Sequence, residues 1–284
     1  MGGKRTLTAR GSAKGVLHVS LPDSIRKALA PVIDEGLQMA KRGTRNDEER
    51  ELIAKILKTV APTLKAGEID AGMLLRGPSR NGHFTIAAGL KIQEGNAVNE
   101  LLKDLVLKDL VDKIPPEVKD LVRLDAESAD DVKIHRIDAQ KLDPKFQDVF
   151  GDNPIYLAIR TDAAYLALGE EGLNVIKAAL RSEPATAPTF RVEVGLVSIL
   201  KLAAAINRDD AKVNIEKAIK SLDYTEGSDL YRVSVEGGDA LRVSYLAKTE
   251  AIKSIISFFT EVVRYAKPTG IRKIEKKIKK PDDR

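Results

Sequence analysis

Ile155-Tyr156-Leu157-Ala158-Ile159-Arg160-Thr161-Asp162-Ala163-Ala164-Tyr165-Leu166-Ala167-Leu168-Gly169 sets the fold class. Large aliphatic residues (Ile155, Leu157, Ile159; Leu166, Leu168) alternate with Tyr156, Ala158, Tyr165 and Ala167, the period-two pattern of strands with two different faces. Residues 161–163 supply the turn. From 170 to 181 the apolar residues switch to helical spacing, so a helix follows the hairpin directly.

The same order recurs outward from this stretch. Residues 69–76 and 83–92 form a second hairpin, joined by a turn that holds Pro78 and Asn81-Gly82. Residues 230–235 and 241–246 form a third around Glu236-Gly237-Gly238-Asp239. A helix follows each: 96–114, with Val98, Leu101, Leu102 and Leu105 in a stripe, and 248–266, with Ile252, Ile255, Ile256 and Phe259. Upstream, residues 5–10 and 15–21 read as a further hairpin around Gly11 to Gly15. Two helices come next, one with Asp23 as N-cap and one opened by Asn46 with Glu49 three residues on. Residues 132–138 read as a strand and the polar stretch 125–131 as a loop.

In order, residues 16–114 and 189–266 both give strand, helix, helix, hairpin, helix, and 132–182 gives a shorter version. The expectation is an α+β fold: a mainly antiparallel sheet built from repeated strand-helix-hairpin-helix units, with its helices on one face. Glu183-Pro184-Ala185-Thr186-Ala187-Pro188 is the best internal boundary, because two prolines there interrupt any regular element. It separates a first α+β region, 1–183, with two hairpin-helix units, from a second, 189–267, that repeats the unit; 268–284 is a basic tail.

The 284 residues carry 47 basic and 42 acidic side chains. Residues 264–284 hold nine of the basic and three of the acidic ones, which leaves the rest of the chain at 38 against 39. The basicity belongs to the tail rather than to the fold, and this disfavours a nucleic-acid surface. Polyanion contacts are instead expected from Arg272, Lys273, Lys276, Lys277, Lys279 and Lys280, which with Ile271, Ile274 and Ile278 give a weak anionic-surface contact. The longest stretch without a charged residue is 81–90, half of the roughly 20 residues a transmembrane helix needs. Met1-Gly2-Gly3-Lys4-Arg5 leads into alternating residues, so no signal peptide is expected in this chain. Without cysteine there is no disulfide, thiolate nucleophile or cysteine-bound metal.

Leu75-Arg76-Gly77-Pro78-Ser79-Arg80-Asn81-Gly82, Lys133-Ile134-His135-Arg136-Ile137, Val149-Phe150-Gly151-Asp152-Asn153-Pro154-Ile155-Tyr156 and Val235-Glu236-Gly237-Gly238-Asp239-Ala240-Leu241-Arg242-Val243 are turn-centred segments spread over residues 65–250. They resemble segments of uncharacterised, planctomycete-type exported bacterial proteins. The resemblance implies an exported or cell-envelope location and assigns no activity.

No catalytic, cofactor-binding or metal-ligating residue is assigned. His18, His83 and His135 lack the spacing of a local metal pair, and His135, near Asp138, is expected to be a hydrogen-bonded sheet histidine. The pairs Asp130-Asp131, Asp209-Asp210 and Asp282-Asp283 suit helix starts and solvated loops. Nucleophile-elbow, Walker and dinucleotide motifs are absent. If Ile155, Leu157, Ile159, Leu166 and Leu168 face the helices, alternation places Arg76, Tyr156, Arg160 and Tyr165 on the second face, with few of the Lys, Glu and Thr residues of a solvated surface. These four are the candidate binding surface. The function expected is a non-enzymatic binding or structural module for an unknown protein or small apolar ligand. The alternative is a carrier of an apolar small molecule or lipid held between sheet and helices. A hydrolase with unidentified carboxylates is third.

Overall fold

A computed structural model describes residues 13–43, 46–109, 119–141, 143–182, 188–207, 209–220, 222, 224–225, 227–253 and 255–256. Its centre is one ten-stranded sheet made of β1 (Ala13–Ser20), β2 (Glu68–Arg76), β3 (Thr85–Lys91), β4 (Val122–Ala129), β5 (Val132–Ile137), β6 (Ile155–Ile159), β7 (Ala163–Gly169), β8 (Phe190–Gly195), β9 (Leu230–Glu236) and β10 (Arg242–Ala247). The strand order is β10-β9-β8-β1-β2-β3-β7-β6-β5-β4, and every neighbouring pair is antiparallel. The fold is therefore α+β with a large antiparallel sheet. The three hairpins fall where alternation places them, at β2–β3, β6–β7 and β9–β10. β8, beyond the proline-rich run, pairs with β1, so the sheet continues across that run.

Seven helices with bounds connect the described strands: α1 (Asp23–Arg42), α2 (Asp47–Lys65), α3 (Gly95–Asp104), α4 (Pro144–Phe150), α5 (Gly172–Leu180), α6 (Leu196–Ile206) and α7 (Asp209–Lys220). Asn46 caps α2 as its spacing predicts, its side chain accepting from the Glu49 N–H at 2.8 Å. Asp23, by contrast, is not a cap. It opens the first turn of α1 after Pro22 and pairs with Arg26. α3 continues as a π-helical turn over Leu105–Asp109, and the remainder of the helix expected to residue 114 lies outside the described residues. The helix after β10 is described only over 249–253 and 255–256.

The helices cover both faces of the sheet, which corrects the expectation of a single helical layer. Ile134 and His135 are neighbours on β5 and so point to opposite faces. Ile134 joins Leu74, Ala87, Ala158 and Ala167 in a core packed against Val175, Ile176 and Leu180 of α5. His135 reaches Asn99 of α3 on the other side, 2.9 Å between Nε2 and Oδ1. A second core, Ala13, Leu75, Phe84 and Val149 with Val194, Leu202 and Ala205, brings α4 and α6 onto the α3 face at one end of the strands. The physical reason is side-chain size. Gly172 opens α5, where a Cβ would stand 3.4 Å from the Tyr156 ring and 3.5 Å from Ala167, so the small residues form the face that a helix backbone can approach.

One further expectation changes. Residues 125–131 do not form a loop: β4 runs through most of them, with a bulge between Arg123 and Glu127 and with Asp125 at φ 52°. An edge strand exposed along much of its length carries polar residues on both sides, which hides its period. β1 has β2 and β8 on its two sides, and the hairpin expected of it with residues 5–10 lies outside the described residues.

Candidate functional site

Among the described residues nothing covers the middle of the α3 face. Pairing sets Met73, Ala88, Leu166 and Leu157 in one row across β2, β3, β7 and β6. A second row holds Leu17, Ala71, Leu90 and Ala164, and Phe190 and Val192 of β8 extend the two rows past β1. Alanines and Gly15 leave a trough between the longer side chains, a groove of about 490 Å3. Met73 is 58% exposed and Leu90 44%, values that mark the floor as open rather than as core. The α4–α6 core closes one end, around Leu75 and Val194.

This groove presents almost no polar atoms. The N–H and C=O groups of its strands are used in ladder pairing, because each of these strands has a neighbour on both sides. Its lining among the described residues suits the desolvation of hydrocarbon.

The opposite face has a groove of about 550 Å3 that includes Lys14, Asp70, Lys91, Arg160, Asp162 and Tyr165. Much of its charge is internally matched. Lys91 donates to Glu68 at 2.5 Å, a hydrogen bond that holds the Glu68 carboxyl below its usual range and the Lys91 ammonium above its own. Arg160 grips both carboxylate oxygens of Asp162, at 2.9 and 3.1 Å. At Lys14, on the β1 side of the groove, Glu193 takes Lys14 at 3.1 Å and Arg232 at 3.0 Å. Burial works to raise the Glu193 pKa, but the two cations outweigh it and leave the carboxyl below its ordinary value.

Of the four candidate binding residues, Arg160 and Tyr165 come together in this second groove. Arg76 is elsewhere, paired with Glu171 at 2.6 Å, and Tyr156 packs against the α5 core. The alternation that groups Tyr156 with Tyr165 holds, but this face carries α5, whereas Leu157 and Leu166 line the open groove. The signal for the open groove is therefore the face with the larger aliphatic residues, which pattern alone assigns to the interior. The six candidate polyanion contacts of the tail lie outside the described residues.

His135 is a hydrogen-bonded sheet histidine. Its Nδ1 accepts the Asp125 N–H at 3.1 Å and its Nε2 faces the Asn99 oxygen, so the ring is neutral with its proton on Nε2. Burial lowers its pKa. Asp138 turns away from it, toward Arg136 at 2.7 Å and Lys141 at 3.0 Å. Burial works to raise the Asp138 pKa, and those two hydrogen bonds bring it below normal. Among the described residues no group of three or more His, Asp and Glu side chains is placed to hold a metal ion, and no helix is long and apolar enough to cross a membrane.

No family model, curated protein or solved structure matches the chain.

Proposed function

We propose that the protein is a non-enzymatic binding module that carries an apolar small molecule or lipid, whose hydrocarbon lies along the groove over Met73, Ala88 and Leu166. The supporting observation is the lining: about 490 Å3 of open space, within the roughly 300–1,000 Å3 usual for small-molecule sites, bounded by aliphatic side chains and alanine. A peptide strand is a poorer occupant, since its own N–H and C=O groups would lie unpaired against that surface. The order strand, helix or helices, hairpin repeats at β1–β3, β5–β7 and β8–β10, and we take the groove to be a product of this repetition. We place this carrier in the cell envelope only on the resemblance of its turn-centred segments to exported proteins, with the tail lysines bringing it to an anionic lipid surface.

The hydrolase reading gains less. Two of the most buried carboxylates are already engaged, Asp138 by three cations and Glu193 by two, and Asp229 accepts the Val197 N–H at 2.7 Å at the start of α6.

The test is native mass spectrometry of the intact chain with and without palmitate, followed by titration with a fluorescent fatty acid. Ala88→Glu puts a charge in the middle of an exposed row. It should weaken binding by about tenfold or more while shifting the melting temperature by less than about 3 °C. Equal affinity in the two proteins, or no retained fatty acid in the parent, would sink the proposal.

A further inference from the structure

The two edges of the sheet are built differently. β4 ends it on one side with Arg123, Asp125 and Glu127 and a bulge, the usual devices that stop another strand from adding. β10, Arg242-Val243-Ser244-Tyr245-Leu246-Ala247, is regular, has no proline and carries its one charge opposite Glu236 of β9. Tyr245 is 79% exposed and Val243 60%. The Lys248 N–H donates to the Leu230 oxygen, which fixes the phase of the ladder. The N–H and C=O groups of Val243, Tyr245 and Ala247 therefore point away from β9, toward the side that has no strand among the described residues.

The sheet's own pairing says what fits there. In each of three sets a strand pairs with the first strand of the hairpin that follows it: β1 with β2, β5 with β6, β8 with β9. This leaves β3, β7 and β10 as the outer hairpin strands. β3 and β7 pair antiparallel with each other. Among the described residues β10 has no such counterpart. We propose that a second copy of the chain supplies it, β10 adding antiparallel to β10 across a two-fold axis at Ser244 and joining two sheets into one.

Charge selects this register. Two registers overlap the strands equally and match the outward-pointing backbone groups. One is centred on Tyr245 and sets Arg242 against Lys248 of the second copy, a like-charge pair at both ends. The other, centred on Ser244, sets Val243 against Tyr245, Arg242 against Leu246, and Lys248 beside Ala240 and Asp239 of the second copy. It exchanges repulsion for attraction and forms an aromatic to β-branched pair twice. The seam does not involve the groove, so it stands whether or not the groove holds a ligand.

The chain has no cysteine, which makes the test direct. Sedimentation velocity on the full chain, from about 1 to 200 µM, should show a monomer–dimer equilibrium. Tyr245→Lys should weaken it by about tenfold or more with an unchanged circular dichroism spectrum. Ser244→Cys, an exposed and conservative change, should give a disulfide-linked dimer on mild oxidation, because the two positions face each other across the axis at a separation a disulfide spans. A parent chain that stays monomeric over the whole range overturns the proposal. So does a dimer that survives Tyr245→Lys, or one that crosslinks through Tyr245→Cys and not through Ser244→Cys.

Discussion

The ring of Tyr165 on β7 lies over Gly89, its register partner on β3, so closely that a Cβ at position 89 would stand 3.0 Å from the ring. The aromatic ring covers a strand position that has no side chain of its own, and it also packs against the α5 core. Burial raises the phenol pKa, so the group is neutral at physiological pH. Tyr165→Ala should cost about 2–4 kcal/mol in urea unfolding and Tyr165→Phe under about 1 kcal/mol. Equal losses would show that the hydroxyl, rather than the ring, is what matters.

Gly169 is at φ 97°, and a Cβ there would overlap the carbonyl oxygen of Phe84. Neither strand backbone can move aside, because Gly169 and Thr85 are register partners. Gly169→Ala should destabilise by more than about 3 kcal/mol and lower the melting temperature by about 6–12 °C. A calorimetric shift below about 2 °C would refute this account.

Asp229 is buried and holds the Val197 N–H at 2.7 Å, closing α6 from 32 positions away. Asp229→Ala leaves that N–H without a partner in a dry site. The expected loss is about 1–3 kcal/mol, and Asp229→Asn, which keeps an acceptor, should recover part of it. Hydrogen exchange at the first turn of α6 would separate a local loss from a global one.

His135 gives the fold a pH dependence. Its folded pKa lies below the ordinary value of 6.5, so in mildly acid solution the unfolded chain binds a proton that the folded chain refuses. Stability is complete above about pH 6.5 and falls as pH drops from there toward the folded value. Asp138 and Glu193, whose pKa values are also lowered, lose their contribution only at lower pH, below the ordinary carboxylate range. Denaturation at pH 5 and pH 7.5 should therefore show a difference that His135→Gln reduces. An unchanged difference would assign the effect elsewhere.

Local signals were readable where one or two residues suffice. The Asn46 cap with Glu49, the hairpin turn at 161–163 and the period of β6 and β7 all appear in the structure because each depends on neighbours in the chain. α4 escaped although Asp143 caps it, its side chain accepting from Lys145 N–H, with Pro144 in the first turn; seven residues are too few for helical spacing to register. Which face of the sheet was open was not legible. Period two separates Leu157 and Leu166 from Ala158 and Ala167 but carries no sign, and here contact with α5 goes to the smaller side chains. The groove therefore sits where the pattern suggests interior.

β1 lies between β2 and β8, and its register partner Glu193 opposite Lys14 is separated from it by most of the described chain. On the ribosome, β1 emerges before β8 and waits with one open side until β8 follows, after β2 to β7 have been made. Closing so long a loop is slow compared with forming a hairpin. Until then Val16 and Leu17 stand beside an unpaired row of backbone donors and acceptors, a state that invites association with other nascent chains. The order of synthesis therefore leaves the β1–β8 seam as a long-range pairing exposed to association while the chain is being made, and a chaperone that holds the nascent chain is expected to act there.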